Sequence, residues 1–165
     1  MEFIDRIRKV INSGILESGF PRIPSNGASE AMIKKEEEKL PRKLSLQHKE
    51  FLKNWNGANL DFIRVLGTHP VESEFMEELA KENKEWEDVK KEVGENSIYF
   101  ANDITGFMYF ELEDGSIVYL DTDGGEIKKV ADDMNDFFLN YIFGKRADEY
   151  GDTEWLDELK EAGII

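Results

Sequence analysis

The sequence predicts an α+β fold, with N-terminal helices packed on a mainly antiparallel β-meander and a closing C-terminal helix. Three features predict it: apolar residues recur at helical spacing over the first third, they alternate around the hairpin signal Asp114-Gly115, and helical spacing returns after Asp133. Phe3, Ile4, Ile7, Val10 and Ile11 form one side of a first helix, opposite Asp5, Arg6, Arg8 and Lys9. Gly19-Phe20-Pro21-Arg22-Ile23-Pro24 breaks it. Ser29 caps a second helix through Lys39, which Pro41 ends. Ser45 caps a third carrying Leu46, Phe51, Leu52 and Trp55, with Gly57 in the left-handed conformation just past its end. Leu60 to Leu66 alternates as one short strand, closed by Gly67-Thr68-His69-Pro70. A long acidic helix then runs from a Ser73 cap to Val93, with Phe75, Met76, Leu79, Trp86, Val89 and Val93 on its apolar side and Gly94 closing it.

Beyond Gly94 the period becomes two. Ile98 to Ala101 is a strand, and Phe107–Leu112 faces Ser116–Leu120 across a two-residue Asp114-Gly115 turn, which would pair Leu112 with Ile117 and Phe110 with Tyr119. That face, with Met108, is expected in the core. A further strand ends at Val130, Asp132 or Asp133 caps a helix bearing Met134, Phe137, Phe138, Tyr141 and Ile142, and Gly144 stops it. Asp152 or Thr153 caps a last helix with Trp155, Leu156 and Leu159.

The chain of 165 residues has the length of one domain and should bury roughly 70% of the surface its unfolded form exposes. It has no cysteine, which excludes a disulfide framework, Cys-ligated metals and a thiol nucleophile. The N-terminus lacks the apolar block of a signal peptide or membrane span, so a soluble, cytoplasmic protein without membrane insertion is expected. The net charge is −15. Residues 1–50 carry 10 Lys/Arg and 8 Asp/Glu, leaving 11 and 28 for residues 51–165, a net −17 there. Such a balance argues against direct nucleic-acid or anionic-lipid binding and favours a basic partner.

The stretch Ala28-Ser29-x3-Ile33-x3-Glu37-x2-Leu40-x3-Leu44-x3-His48-x2-Phe51-Leu52-x3-Asn56-Gly57 resembles the N-terminal signature of the SUKH superfamily, the Smi/Knr cell-wall-regulator family. The strand after Asn-Gly, the variable helical insertion, the meander and the paired aromatics Phe137-Phe138 follow the same layout, so the likeness spans about 28–143, with 144–165 as a C-terminal helical extension of one domain covering 1–165. Two positions depart: Ser45 stands where the family has the Pro of a Leu-Pro pair, and His48 where it has tyrosine. The resemblance implies a non-enzymatic binding module without cofactor or metal. Bacterial members act as immunity proteins against polymorphic toxins, often nucleases or deaminases, while fungal members are regulatory hubs in cell-wall synthesis. It also implies structural roles for Ile33, Glu37, Leu44, Phe51, Leu52 and Gly57, with Glu37 making an internal hydrogen bond.

Partner contacts are expected on Trp55, Asn56, Asp61, Glu74, Glu78, Glu85 and Asp103, from charge and expected exposure on the acidic helix and nearby loops. Trp86 and Trp155, at helical spacing, read as core, and homo-oligomerisation is left open. An enzymatic alternative, a small hydrolase or metal-dependent enzyme, would rest on His48, His69 or Asp121-Thr122-Asp123-Gly124-Gly125-Glu126. His48 reads instead as a packing ring and His69 as a surface loop residue. The Asp121 segment reads as a solvated turn, because its glycines come fourth and fifth where a calcium loop needs one sixth. Lys34-Lys35-Glu36-Glu37-Glu38-Lys39 reads as a charged helix face.

Overall fold

The computed structural model describes residues 1–16 and 26–165; the expected break at Gly19–Pro24 lies outside them. Helix α1 (Glu2–Ser13) buries Phe3, Ile4, Ile7 and Val10, the stripe that its apolar spacing sets. Ser29 Oγ accepts the Met32 N–H at 3.2 Å to start α2 (Glu30–Glu37), and Ser45 Oγ accepts the His48 N–H at 3.1 Å to start α3 (Leu46–Asn54). Leu46 departs from expectation at 78% exposed. The buried stripe of α3 is His48, Phe51 and Leu52, at i, i+3 and i+4, and Leu46 falls outside that spacing. Gly57 does adopt the left-handed conformation, at φ 79°, but two residues beyond the extended C-cap Trp55. A Cβ there would lie 2.6 Å from Met76 Cε and 3.0 Å from Gly67 N, so close approach of the 67–76 loop also requires glycine.

The expected single strand Leu60–Leu66 is a hairpin, β1 (Ala58–Leu60) and β2 (Ile63–Val65), turning at Asp61 with φ 62° and Phe62. Alternation reads alike for one strand and for two short ones, and Asp is among the few residues that tolerate this backbone region. The expected helix from Ser73 to Val93 is also corrected. Ser73 Oγ accepts the Phe75 N–H within a loop, the Gly67 N–H donates to Glu77 O at 3.0 Å while Gly67 O accepts the Leu79 N–H at 2.8 Å, and helix begins only at α4 (Leu79–Glu85), followed after Trp86 by α5 (Glu87–Val93). Phe75 is consequently exposed, and so is Trp86, which had been assigned to the core.

Strands β3 (Ile98–Asp103), β4 (Phe107–Glu111), β5 (Ile117–Asp121) and β6 (Ile127–Ala131) complete a six-stranded antiparallel meander in the order β1-β2-β3-β4-β5-β6. The β4–β5 hairpin has a three-residue loop, Glu113-Asp114-Gly115, in which Leu112 N–H bonds Ser116 O at 2.8 Å and Gly115 takes φ 91°. The register is therefore one residue from that expected: Phe110 faces Val118, Glu111 faces Ile117, and Tyr109 faces Tyr119. Phe110 and Met108 stay buried, whereas Tyr119 shares the other face with Phe107, its ring 4.9 Å away.

Asp133 Oδ1 accepts the Asp136 N–H at 2.7 Å to open α6 (Met134–Asp136), which widens into a π-helical segment, Phe137–Ile142. Its aromatics join the helices to the sheet: Phe138 stacks between Phe3 and Phe51 at 5.8 and 5.4 Å, and Phe137 meets Phe100 and Tyr109 at 5.6 and 5.2 Å. A short helix absent from the sequence reading, α7 (Ala147–Tyr150), precedes α8 (Thr153–Glu161), capped by Asp152. The C-terminal segment packs back on the fold through Trp155, whose Nε1–H donates to Ile142 O at 2.8 Å, and through Leu159 and Ile164.

Candidate functional site

The motif residues act as a clasp between the α2–α3 pair and the rest of the fold. Ile33, Leu44, Phe51 and Leu52 are buried. Glu37 makes the internal bond expected of it: Oε2 accepts the Leu44 N–H at 2.7 Å and pairs with Lys49 Nζ at 3.3 Å. Glu36, read as part of a charged face, is instead buried, its Oε1 accepting the Ala80 N–H at 2.8 Å and its Oε2 the His69 N–H at 3.1 Å. Burial pushes its carboxyl up, partly offset by those two donors. The sequence signal was its position three residues after Ile33, on the same side of the helix.

A second buried acid escaped the sequence reading. Glu111 sits among apolar neighbours on β4, accepts Ser45 Oγ–H at 2.7 Å and pairs with Arg42 at 3.3 Å, while Arg42 also donates to the carbonyls of Asn96, Glu111 and Leu112. Burial raises the Glu111 carboxyl, against the pull of Ser45 and Arg42. An acid inside an otherwise apolar strand was the available clue.

The residues expected to contact a partner are scattered. Asn56 and Asp103 are corrected as surface groups, because both are buried and fully used inside the fold. Asn56 Oδ1 accepts the Thr68 N–H at 2.7 Å and Oγ1–H at 2.9 Å, while Nδ2 donates to Thr68 O at 3.0 Å. Asp103 Oδ1 accepts the N–H groups of Thr105 and Phe107 and the Thr105 hydroxyl, and Oδ2 accepts the Tyr109 hydroxyl at 3.0 Å. Trp55 is half-buried, tilted against Phe51 with Arg8 over its ring at 6.0 Å. Glu74 and Glu85 are exposed; Glu78 is half-buried between Lys39 at 4.0 Å and His69 at 3.9 Å, and Asp61 is half-buried in the β1–β2 turn. The stretch Leu79–Val93 carries four lysines against five acids, so the helices expected to be strongly acidic are nearly balanced.

The histidines occupy the places that the packing and loop readings gave them. His48 is completely buried, its ring 5.8 Å from Phe100 and neither ring nitrogen hydrogen-bonded, and burial with the neighbouring Arg42 holds its pKa down to about 3. His69 lies on the surface. Asp121 Oδ1 accepts the Asp123 N–H at 3.0 Å within the β5–β6 turn, and among the described residues no three His, Asp or Glu side chains come together as a metal-binding set. Two open grooves flank α2. One of about 600 Å³ lies towards α4, lined by Leu40, Pro41, Glu78 and Asn83, and one of about 550 Å³ lies towards α3, with Ile33 and Leu46 among Lys34, Lys43, Lys49 and Lys53.

Among the described residues no helix is long and apolar enough to cross a membrane. A family model described as "SMI1 / KNR4 family (SUKH-1)" matches residues 27–140, from the turn before α2 to the π-helical segment. No curated protein matches the chain.

Proposed function

Because the chain belongs to the SMI1/KNR4 (SUKH-1) family, we propose that it is a non-catalytic protein-binding module, an immunity protein that binds and occludes a basic toxin effector in the cytoplasm. Family membership over residues 27–140 is the observation that carries this reading. The charge supports it: the net −15 includes a run from Glu92 to Ile127 with no Lys or Arg at all. An effector that handles nucleic acid presents cationic residues around its active site, and an acidic blocker is steered to such a surface at a rate that falls with salt. A nuclease or nucleobase deaminase is the effector class that fits this complementarity. Buried, internally satisfied motif residues also fit a rigid scaffold whose recognition lies on its exposed turns.

Co-expression supplies the test. Each effector domain encoded beside the gene is induced in a heterologous host with and without this chain. Restored growth in one pairing, from a soluble, equimolar complex, supports immunity; continued killing in every pairing, with the chain abundantly soluble, refutes it.

A further inference from the structure

At one end of the sheet, three turns join side by side. The β1–β2 and β3–β4 turns meet where the Ile104 N–H donates to Phe62 O at 3.3 Å, extending the Ile63–Asp103 register by one pair. The β3–β4 and β5–β6 turns meet where the Thr122 N–H and hydroxyl both donate to Gly106 O, at 3.1 and 2.7 Å. The rim so formed exposes two large apolar side chains opposite one another, Phe62 at 43% and Ile104 at 62%. No Lys or Arg occurs in the sequence of any of the three turns, whereas Asp123 and Glu126 lie in the β5–β6 turn and Asp121 ends β5 beside them. Asp103 beneath anchors the middle turn through its bonds to Thr105 and Phe107, so the apolar pair is presented on ordered backbone.

We propose that this turn rim, with Phe62 and Ile104 as apolar anchors beside the carboxylates of the β5–β6 turn, is the surface that docks the effector, and that the occupant is a cationic protein face with an apolar recess. The inference rests on the immunity reading and deepens it by placing the contact away from the helix face α4–α5. Exposed apolar anchors flanked by charge follow the anatomy of binding hot spots, in which apolar contacts set the dissociation rate and neighbouring charges set the association rate. Charge complementarity selects the partner: turns that carry Asp123 and Glu126 beside Asp121, and no Lys or Arg of their own, repel an acidic partner and attract a basic one.

The probe is a catalytically inactive form of the effector domain that this chain protects against in co-expression, measured by surface kinetics at low and moderate salt. Phe62→Ser combined with Ile104→Ser is expected to weaken binding by at least about 30-fold, mainly through faster dissociation, with thermal unfolding confirming that the variant is fully folded at the assay temperature. Asp121→Asn, Asp123→Asn and Glu126→Gln together are expected to slow association by about tenfold at low salt and flatten its salt dependence, leaving dissociation within about twofold. Leu46→Ser, at a still more exposed apolar position at the start of α3, is the control and should bind as wild type. If wild type binds and the rim variants bind as tightly as it does, the rim is refuted while the immunity reading stands. If wild type binds no effector domain, the immunity reading fails and the rim proposal falls with it.

Discussion

Replacing His48 with phenylalanine changes how the protein's stability responds to acid, and the size of the effect follows from the ring's surroundings. The side chain is completely buried, neither nitrogen has a hydrogen-bond partner, and burial together with Arg42 lowers its pKa from 6.5 to about 3. The unfolded chain therefore takes up a proton near pH 6.5 that the folded chain refuses until about pH 3. Stability is complete above pH 6.5 and is lost as pH falls towards 3, by about 1.4 kcal/mol per unit. Between pH 7.5 and 5.0 this amounts to about 2 kcal/mol, and over the whole interval to roughly 4–5 kcal/mol. Glu36 and Glu111, whose carboxyls burial pushes up, act with the opposite sign, gaining stability as pH falls. They are present in both proteins and drop out of the comparison. At pH 7.5 the substitution also removes two unsatisfied buried nitrogens, each of which costs about 1–3 kcal/mol, against some overpacking. Urea unfolding of wild type and His48→Phe at pH 7.5 and 5.0 measures this directly. The variant is expected to be at least as stable at pH 7.5 and ahead by about 2 kcal/mol more at pH 5.0. Parallel pH dependences would refute the argument, because they would mean that the ring is hydrated or hydrogen-bonded in the native state.

Asn56→Ala strips Thr68 of partners for its N–H, hydroxyl and carbonyl, and should cost about 2–4 kcal/mol in denaturant unfolding; a loss under 1 kcal/mol would mean that water replaces the amide. Arg42→Ala leaves Glu111 buried without its cation and should cost about 3–5 kcal/mol, part of which Glu111→Leu in the same chain recovers. Additive losses in that double variant would contradict a coupled pair. Gly144→Ala places a Cβ 1.9 Å from Leu139 O and should lower stability by about 3 kcal/mol in thermal unfolding. An unchanged midpoint would show that the turn leaving the π-helical segment can relax.

Helix starts were legible because capping is local chemistry: Ser29, Ser45, Asp133 and Asp152 each accept the N–H three residues on, and each stands directly before an apolar-periodic run. The meander was legible from alternation and Gly115, but its register was not. Asp114-Gly115 supports a two-residue loop and a three-residue loop equally, and the choice shifts every pair by one. The helix expected from Ser73 failed because Gly67 bonds the backbone of Glu77 and Leu79, a bridge between residues ten or more apart that commits the intervening chain to a loop. The same cause hid much of the clasp. Glu36, Asn56, Asp103 and Glu111 look like surface residues by type, and only tertiary donors reveal them as buried and satisfied. Trp86 errs the other way, since the helix break at its position lifts it out of the apolar stripe.

The most direct test of the binding account is an inhibition titration of the effector domain identified by co-expression, with increasing amounts of this chain at low salt. The account predicts that effector activity falls linearly to zero at one equivalent and returns as salt weakens the complex. Full effector activity in a several-fold excess of correctly folded protein would contradict it.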